Sequence, residues 1–214
     1  MDEQAALLTQ LAQGFADAWR GIGADGDGAD QLAELAERYA EPHRHYHTLH
    51  HIAMVLDALQ AQSGALEHPA EAMLAIWYHD AIYHPAESDN EARSADLAAG
   101  QLRAAHAPVE TAARVHAMIL DTRHTEAARS PDGKLVADAD LAIFAASAVA
   151  FDAYDAAIRH EYAFVPEPAY RAARVRVLQA FLDRPFIYQT AAFRKNCEAA
   201  ARENLGRALM RLGS

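Results

Sequence analysis

Apolar residues recur every three or four positions along most of the chain, which is the spacing of helices with one buried face. In residues 3–20 this pattern runs through Leu7, Leu11 and Phe15. Comparable patterns predict further helices over residues 32–39, 46–59, 70–83, 89–105, 108–121, 148–162, 167–183 and 190–211. No stretch alternates apolar and polar residues with the period of two that a half-buried strand requires. The sequence therefore predicts an all-α fold, a single-domain bundle of about eight to ten helices over residues 1–214, with its C-terminal helices in residues 148–211.

Residues 70–83 are apolar around nearly the whole circumference of the predicted helix, so this helix should be the buried centre of the fold. Asp80 belongs to it, and an ionised carboxylate in an apolar core is too costly unless it is paired, hydrogen-bonded or bound to a metal. His79 precedes Asp80 directly, and an imidazole beside a carboxylate favours the metal. Residues 77–84 therefore form the first segment of a candidate metal site.

The His-rich segment 44–51 supplies further candidate ligands. If a helix begins at about residue 46, His47 and His51 lie one turn apart on one face, which is a spacing that can hold a metal. Such a pair is also a frequent surface feature of helix ends. The metal interpretation therefore depends on ligands from other segments.

A third segment, residues 136–144, contains two aspartates that follow a predicted turn at residues 130–134. On a helix Asp138 and Asp140 point roughly 200° apart, so one metal cannot easily bind both. Asp140 lies beside the apolar stripe that continues through Leu141, whereas Asp138 falls where a helix N-cap would follow the turn. We expect Asp140 to be the ligand and Asp138 to be the cap.

Composition narrows the range of partners and compartments. The net charge is −11 and the chain has two lysines, so its surface should repel nucleic acid and anionic membranes. A single cysteine, Cys197, excludes an internal disulfide framework. No apolar run approaches the roughly 20 residues of a membrane span, and the N-terminus lacks the basic residues of a signal peptide. We therefore expect a cytoplasmic protein whose main partner is neither nucleic acid nor a membrane.

The three segments together resemble the HD superfamily of metal-dependent phosphohydrolases, in which a His, a His-Asp pair and a later Asp follow one another along the chain. More narrowly, YHTLHHI, WYHDAIYHP, DNEARSA, DADLAIF, IRHEYAFVP and YRAARVRVLQAFLDRPFIY are similar to a bacterial family of predicted HD-superfamily phosphohydrolases, over about residues 40–205. The resemblance implies an HD-type helical fold and a metal held by His51, His79, Asp80 and Asp140.

The resemblance also implies a reaction and a kind of metal. Water activated by the metal would attack a phosphoester of a small molecule, such as a nucleotide. Four protein ligands leave positions open only on five- or six-coordinate ions, which favours Mn²⁺, Mg²⁺, Fe²⁺ or Ni²⁺ over Zn²⁺. One or two ions could bind, because His47 or His124 could recruit a second ion that Asp80 would bridge. The protein could also form a homodimer.

Several catalytic and substrate-binding roles stay open. His84 stands where nucleoside monophosphatases of the superfamily place a Glu, so Glu91 is a candidate replacement as general base, although it could equally be a solvated surface residue. Asp80 is expected to be catalytic as well as ligating, and His47 is a candidate for contact with the substrate. Three arginines are candidates to bind the phosphate group, each weighed against an ordinary surface salt bridge: Arg44, Arg93 and Arg123.

Two other functional classes are compatible with these residues. HD-type di-iron oxygenases act on small polyol or phosphonate substrates and would need two irons and dioxygen. A non-catalytic metal- or ligand-binding protein is the other class. The intact ligand positions argue against it, because a binding protein without catalysis would be expected to have lost some of them.

Overall fold

The computed structural model describes the backbone of residues 3–213 and the side chains of residues 4–213. Within that range the chain forms ten α-helices and no β-strand, which confirms the predicted all-α fold. The helices are α1 (Glu3–Gly21), α2 (Ala29–Tyr39), α3 (Leu49–Gln60), α4 (Pro69–Tyr78), α5 (Asn90–Ala104), α6 (Val109–Asp121), α7 (Pro131–Asp140), α8 (Ala148–Glu161), α9 (Glu167–Leu182) and α10 (Ala191–Gly213). Ser63–Ala65 and Leu141–Ala145 form 3₁₀ helices. Residues 1, 2 and 214 of the predicted domain lie outside the described residues.

The chain divides into two compact units, of which the first ends at Ala139 and the second begins at Asp140. This boundary falls at the end of α7, so nine of the ten residues of that helix belong to the first unit. The expectation that the whole chain is one domain stays a prediction. No single helix within residues 3–213 is both long enough and apolar enough to span a membrane.

Helix α4 is the centre of the first unit, where it packs against α1, α3, α5 and α6. Leu74 and Trp77 are fully buried, as the apolar circumference of this helix predicts. The helix ends at Tyr78, however, instead of continuing to residue 83. His79 and Asp80 therefore lie in the turn after α4 and not at adjacent positions within a helix.

Hydrogen bonds from other elements explain why α4 ends at this point. Arg44 Nη1 donates to the Asp80 carbonyl over 2.7 Å, and the Ile82 amide donates to Ser94 Oγ over 2.9 Å. The His84 amide donates to Asn90 Oδ1. Because these backbone groups are bound by side chains, they are not available for the bonds to residues four positions away that would prolong the helix.

Helix α3 begins at Leu49, so the predicted start near residue 46 is wrong. Thr48 has an extended backbone with φ −117° and ψ −179°, which a helix cannot include. His47 consequently lies in the turn before α3, whereas His51 lies in its first turn. The two histidines do not share a helical face, and their proximity depends on the path of this turn.

The predicted turn at residues 130–134 is also wrong, because Pro131 opens helix α7. Proline is tolerated at the start of a helix, and Ser130 Oγ accepts a hydrogen bond from the Gly133 amide, as a capping residue does. Asp138 is therefore not an N-cap. It lies inside α7 and its residue is only 1% exposed, while Asp140 is the last residue of the helix.

The second unit packs α10 against α9 and against the 3₁₀ helix Leu141–Ala145. Asn204 Nδ2 donates to the carbonyls of Phe144 and Ala146, and Tyr188 Oη donates to the Leu141 carbonyl. The α-helices of this unit, α8, α9 and α10, lie within one or two residues of the ranges that their periodicity predicts.

Candidate metal site

His79 is buried at the end of α4 and its ring orientation is fixed by the helix itself. Its Nδ1 lies 2.7 Å from the carbonyl oxygen of Ile76, one turn earlier. A carbonyl can only accept, so Nδ1 carries the proton and donates it. In the neutral ring Nε2 is then unprotonated and presents its lone pair, which is the state in which histidine binds a metal.

His51 faces His79 from the first turn of α3. Its Nε2 lies 3.1 Å from Nε2 of His79, and its Nδ1 lies 3.1 Å from the hydroxyl of Tyr46. When the His79 ring is neutral its Nε2 has a lone pair and no proton, so either a proton on His51 or a cation must then lie between the two rings. Nitrogens bound at right angles to one metal, with bonds of about 2.1 Å, are separated by about 3 Å. The two rings therefore fit adjacent positions on one ion.

The Asp80 carboxylate, in the turn after α4, lies close to the Nε2 atoms of both His51 and His79. Its Oδ2 lies 3.0 Å from Nε2 of His79 and 3.5 Å from Nε2 of His51, and the side chain is 14% exposed. Burial by itself would raise the pKa of Asp80. The positive charge available on His79 and His47, together with hydrogen bonds from His51 and His79, instead holds this pKa well below its usual value. Asp80 is therefore an anion that histidines or a cation must balance.

Asp140 is the fourth predicted ligand and the end of helix α7. His51, His79 and Asp140 each present a ligand atom, and these three atoms all lie within 4.8 Å of one another. Two imidazole nitrogens and the Asp140 carboxylate can thus serve one divalent ion, and the Asp80 carboxylate, which is not part of this group, lies beside the two histidines.

His47 lies next to this cluster although it is outside α3. Its Nε2 is 4.0 Å from Oδ2 of Asp80, and its ring centre is 5.7 Å from that of His51. The same ring packs against Tyr83 with centres 4.1 Å apart. His47 is therefore close enough to Asp80 to contact a bound substrate or a second ion.

Arg44, a predicted phosphate-binding residue, is bonded within the protein, and its role toward a phosphate group stays a prediction. Its side chain is fully buried, and its guanidinium donates to the backbone carbonyls of His47, Asp80 and Ala81. The structure shows that its donors are used within the protein.

The other predicted residues lie on neighbouring helices or turns. Glu91 is half-buried in the first turn of α5, and Arg93 on the same helix is exposed and pairs with Asp89 at 3.9 Å. Arg123 is exposed in the turn after α6, where His124 has a left-handed backbone with φ 54°. His124 is not part of the described group of ligand atoms within 4.8 Å of one another. The predicted roles of these four residues stay predictions.

Three residues that support the site were not identified from the sequence. Tyr46 holds His51, as described above, and two residues of α5 hold the turn after His79 and Asp80. Ser94 is fully buried and binds both backbone groups of Ile82, while Asn90 binds both backbone groups of His84. The motif DNEARSA contains both α5 residues, but only their contacts show why that motif accompanies the His-Asp pair.

The cluster of His51, His79, Asp80 and Asp140 is thus a candidate metal site with an unprotonated imidazole, an ionised carboxylate and a Tyr46 hydroxyl that orients a ligand. The donor atoms are nitrogen and oxygen only, which suits borderline and hard divalent cations. Comparisons of the chain with protein-family models, with curated proteins and with solved structures found no match.

Proposed function

We propose that this protein is a metal-dependent phosphohydrolase that cleaves a phosphoester of a small molecule, such as a nucleotide. The observation that carries the proposal is the pair of facing Nε2 atoms of His51 and His79, 3.1 Å apart, with the Asp80 carboxylate 3.0 to 3.5 Å from both. The Asp140 carboxylate supplies the fourth ligand. The resemblance of the surrounding motifs to HD-superfamily phosphohydrolases supports the same reaction.

The chemistry of the donor set favours particular metals. Two imidazoles and two carboxylates, with no thiolate among them, suit Mn²⁺, Fe²⁺, Ni²⁺ or Mg²⁺, which accept further ligands beyond these four. Such an ion, when bound, lowers the pKa of a coordinated water and neutralises charge on a phosphoryl oxygen. His51, His79, Asp80 and Asp140 are the residues that would hold such an ion.

The residues near the ion have distinct tasks in this proposal. Asp80 stays ionised, so it can also orient a water by accepting a hydrogen bond from it. His47, 4.0 Å from Asp80, can contact the phosphate or hold a proton on its Nε2. Tyr46 and the Ile76 carbonyl keep the two ligating rings in the required orientation.

The position of His47 also favours a second candidate function. A histidine 4.0 Å from the carboxylate that binds the first ion could hold a second ion, with Asp80 bridging. A dinuclear iron centre of this kind would use dioxygen to oxidise a small polyol or phosphonate. Two equivalents of iron and oxygen consumption during turnover would replace the hydrolase proposal with this one.

Elemental analysis of the purified protein, followed by a panel of phosphoesters with each metal added back, tests the proposal. We expect at least one bound divalent ion per chain and phosphate release that a chelator abolishes. His51→Ala should lose both. His116→Ala is the matched control, because His116 pairs with Asp96 at 3.2 Å on the surface between α5 and α6. Metal-free protein with no hydrolysis across the panel, for any added metal, would reject the proposal.

A further inference from the structure

Arg44 is a buried cation for which the proposed chemistry has no use. It lies between α2 and α3, and its side chain is 0% exposed. A buried guanidinium is costly unless its donors are satisfied. Nη1 donates to the carbonyls of Asp80 at 2.7 Å and His47 at 3.2 Å, and Nη2 donates to that of Ala81 at 3.1 Å.

The Nε atom and the planar face of the Arg44 guanidinium also have partners. Its Nε donates to the Glu41 carboxylate at 3.0 Å, which balances its charge. The guanidinium carbon lies 5.1 Å from the ring centre of Tyr39 and 5.4 Å from that of Tyr83, within the range of cation–π contacts. Because the guanidinium contacts two aromatic rings, a carboxylate and three carbonyls, its position is fixed relative to the backbone that it binds.

We infer that Arg44 is a positioning residue of the metal site, which fixes the turn of His79 and Asp80 against the turn of His47. The inference rests on the proposed metal site and adds a residue that sets its geometry. His47 and Asp80 are contributed by stretches more than 30 residues apart, and Arg44 binds the backbone of both. Asp80 lies in the turn after α4, and His51 lies in α3, directly after the turn of His47. Loss of the bonds from Arg44 to both turns would therefore let the Asp80 carboxylate and the His51 ring move apart.

Lysine cannot replace this function of arginine. A guanidinium has a rigid planar fork that reaches several carbonyls at fixed angles, whereas an ammonium is a single centre on a flexible chain. Arg44→Lys therefore keeps the positive charge but loses the fixed set of hydrogen bonds to the three carbonyls. Glu41→Gln is a milder variant, because among the bonds of Arg44 it weakens only the one that holds the Nε atom.

Arg202 provides a matched control in the second unit. Its guanidinium donates to the carbonyls of Leu182, Arg184 and Pro185, and its Nε donates to Glu198. It has the same kind of partners as Arg44, but none of these partners is a candidate ligand. Arg202→Lys therefore measures the general cost of losing an arginine that binds a set of carbonyls.

The test is a titration of the metal-free wild type and variants with Co²⁺, whose visible absorption reports the coordination of the ion, alongside thermal unfolding. We expect Arg44→Lys to raise the Kd for Co²⁺ by about tenfold or more, the usual effect of removing a group that orients ligands, and to change the spectrum. Glu41→Gln should shift the Kd less, in the same direction. Arg202→Lys should lower the Tm but leave the Kd and the spectrum unchanged.

Two results would overturn the inference. One is an unchanged Kd and spectrum in both Arg44→Lys and Glu41→Gln, whatever the change in Tm. The other is a raised KM for a phosphoester at unchanged Co²⁺ affinity, which would make Arg44 a substrate-binding residue. Wild-type protein that binds Co²⁺ tightly but hydrolyses no phosphoester would reject only the proposed function. Wild-type protein that binds no metal would reject both.

Discussion

Oδ2 of Asp80 lies 3.0 Å from Nε2 of His79, the residue directly before it in the chain. Both residues lie in the turn that directly follows the end of α4 at Tyr78. Both side chains also approach His51, whose Nε2 lies 3.1 Å from Nε2 of His79 and 3.5 Å from Oδ2 of Asp80. The turn after this helix end is therefore part of the candidate metal site.

Asp80→Asn is expected to remove the metal and abolish metal-dependent turnover. The amide keeps the shape of the side chain but cannot balance a divalent cation as the carboxylate does. Metal content and phosphate release of the purified variant are the measurements. Its control is Asp96→Asn, which changes the exposed Asp–His116 pair and should keep both. An Asp80→Asn protein with a full equivalent of metal and full turnover would show that Asp80 is not a ligand.

The dependence of the free energy of unfolding on acid pH should show that Asp80 has a lowered pKa in the folded protein. Because its pKa in the folded protein lies well below the unfolded value, Asp80 stabilises the fold at pH above the unfolded value of 3.8, and this contribution disappears as pH falls through the lower, folded pKa. The difference in free energy of unfolding between wild type and Asp80→Asn, both in chelator, should therefore persist from neutral pH to about pH 4 and shrink only at lower pH. Denaturant unfolding at several pH values measures it. A difference that vanishes already between pH 7 and pH 5 would contradict the depressed pKa.

His47→Ala should keep most of the bound metal while lowering kcat/KM. Its Nε2 lies 4.0 Å from Asp80, which suits contact with substrate or a second ion better than binding of the first. Metal stoichiometry and steady-state kinetics, with His116→Ala as control, distinguish these roles. Loss of a whole equivalent of metal with one equivalent retained would instead indicate a dinuclear centre.

Asp138 and Asp140 should differ in metal binding. Because Asp138 is buried inside α7 and is not its N-cap, its loss should also destabilise the protein as the loss of a buried polar group does. Asp140→Asn should lose the metal, since Asp140 presents a ligand atom to His51 and His79. Asp138 is buried inside α7, so Asp138→Ala should cost about 1–3 kcal/mol of stability, as expected for a buried polar group, with metal retained. Metal analysis and denaturant unfolding of the two variants measure both effects. Metal lost from the Asp138 variant and kept by the Asp140 variant would reverse the assignment.

Gly133→Ala should destabilise the protein because helix α7 packs closely at this residue. An added Cβ would clash with the Asp121 carboxylate and approach Ser130 Oγ to 2.9 Å. A loss of about 1–3 kcal/mol is expected from such overpacking. Gly100→Ala is the control: it lies inside α5 with nothing near the added Cβ, and alanine should stabilise the helix by up to about 1 kcal/mol. Thermal unfolding of both variants measures the contrast, and equal shifts would show that α7 can move away from Asp121.

The sequence by itself determined the helical class and most of the helices. The apolar periodicity of α1, α8 and α9 is sustained over many residues, so one buried face was enough to place them. The unbroken apolar surface of α4 likewise predicted its burial. The residue types in three segments also indicated a metal site, because an Asp in an apolar segment beside a His requires compensation.

Only the tertiary structure decided where the helices around the site begin and end. Arg44 precedes Asp80 by 36 residues, yet its bond to the Asp80 carbonyl helps to end α4. Pro131 and Gly133 are typical of turns, but they begin α7, where Gly133 packs against Asp121. Such ends depend on hydrogen bonds and close packing between residues distant in sequence, which local periodicity does not contain. For the same reason the sequence could name Arg44 as a candidate but could not show that its donors bind the backbone of His47 and Asp80.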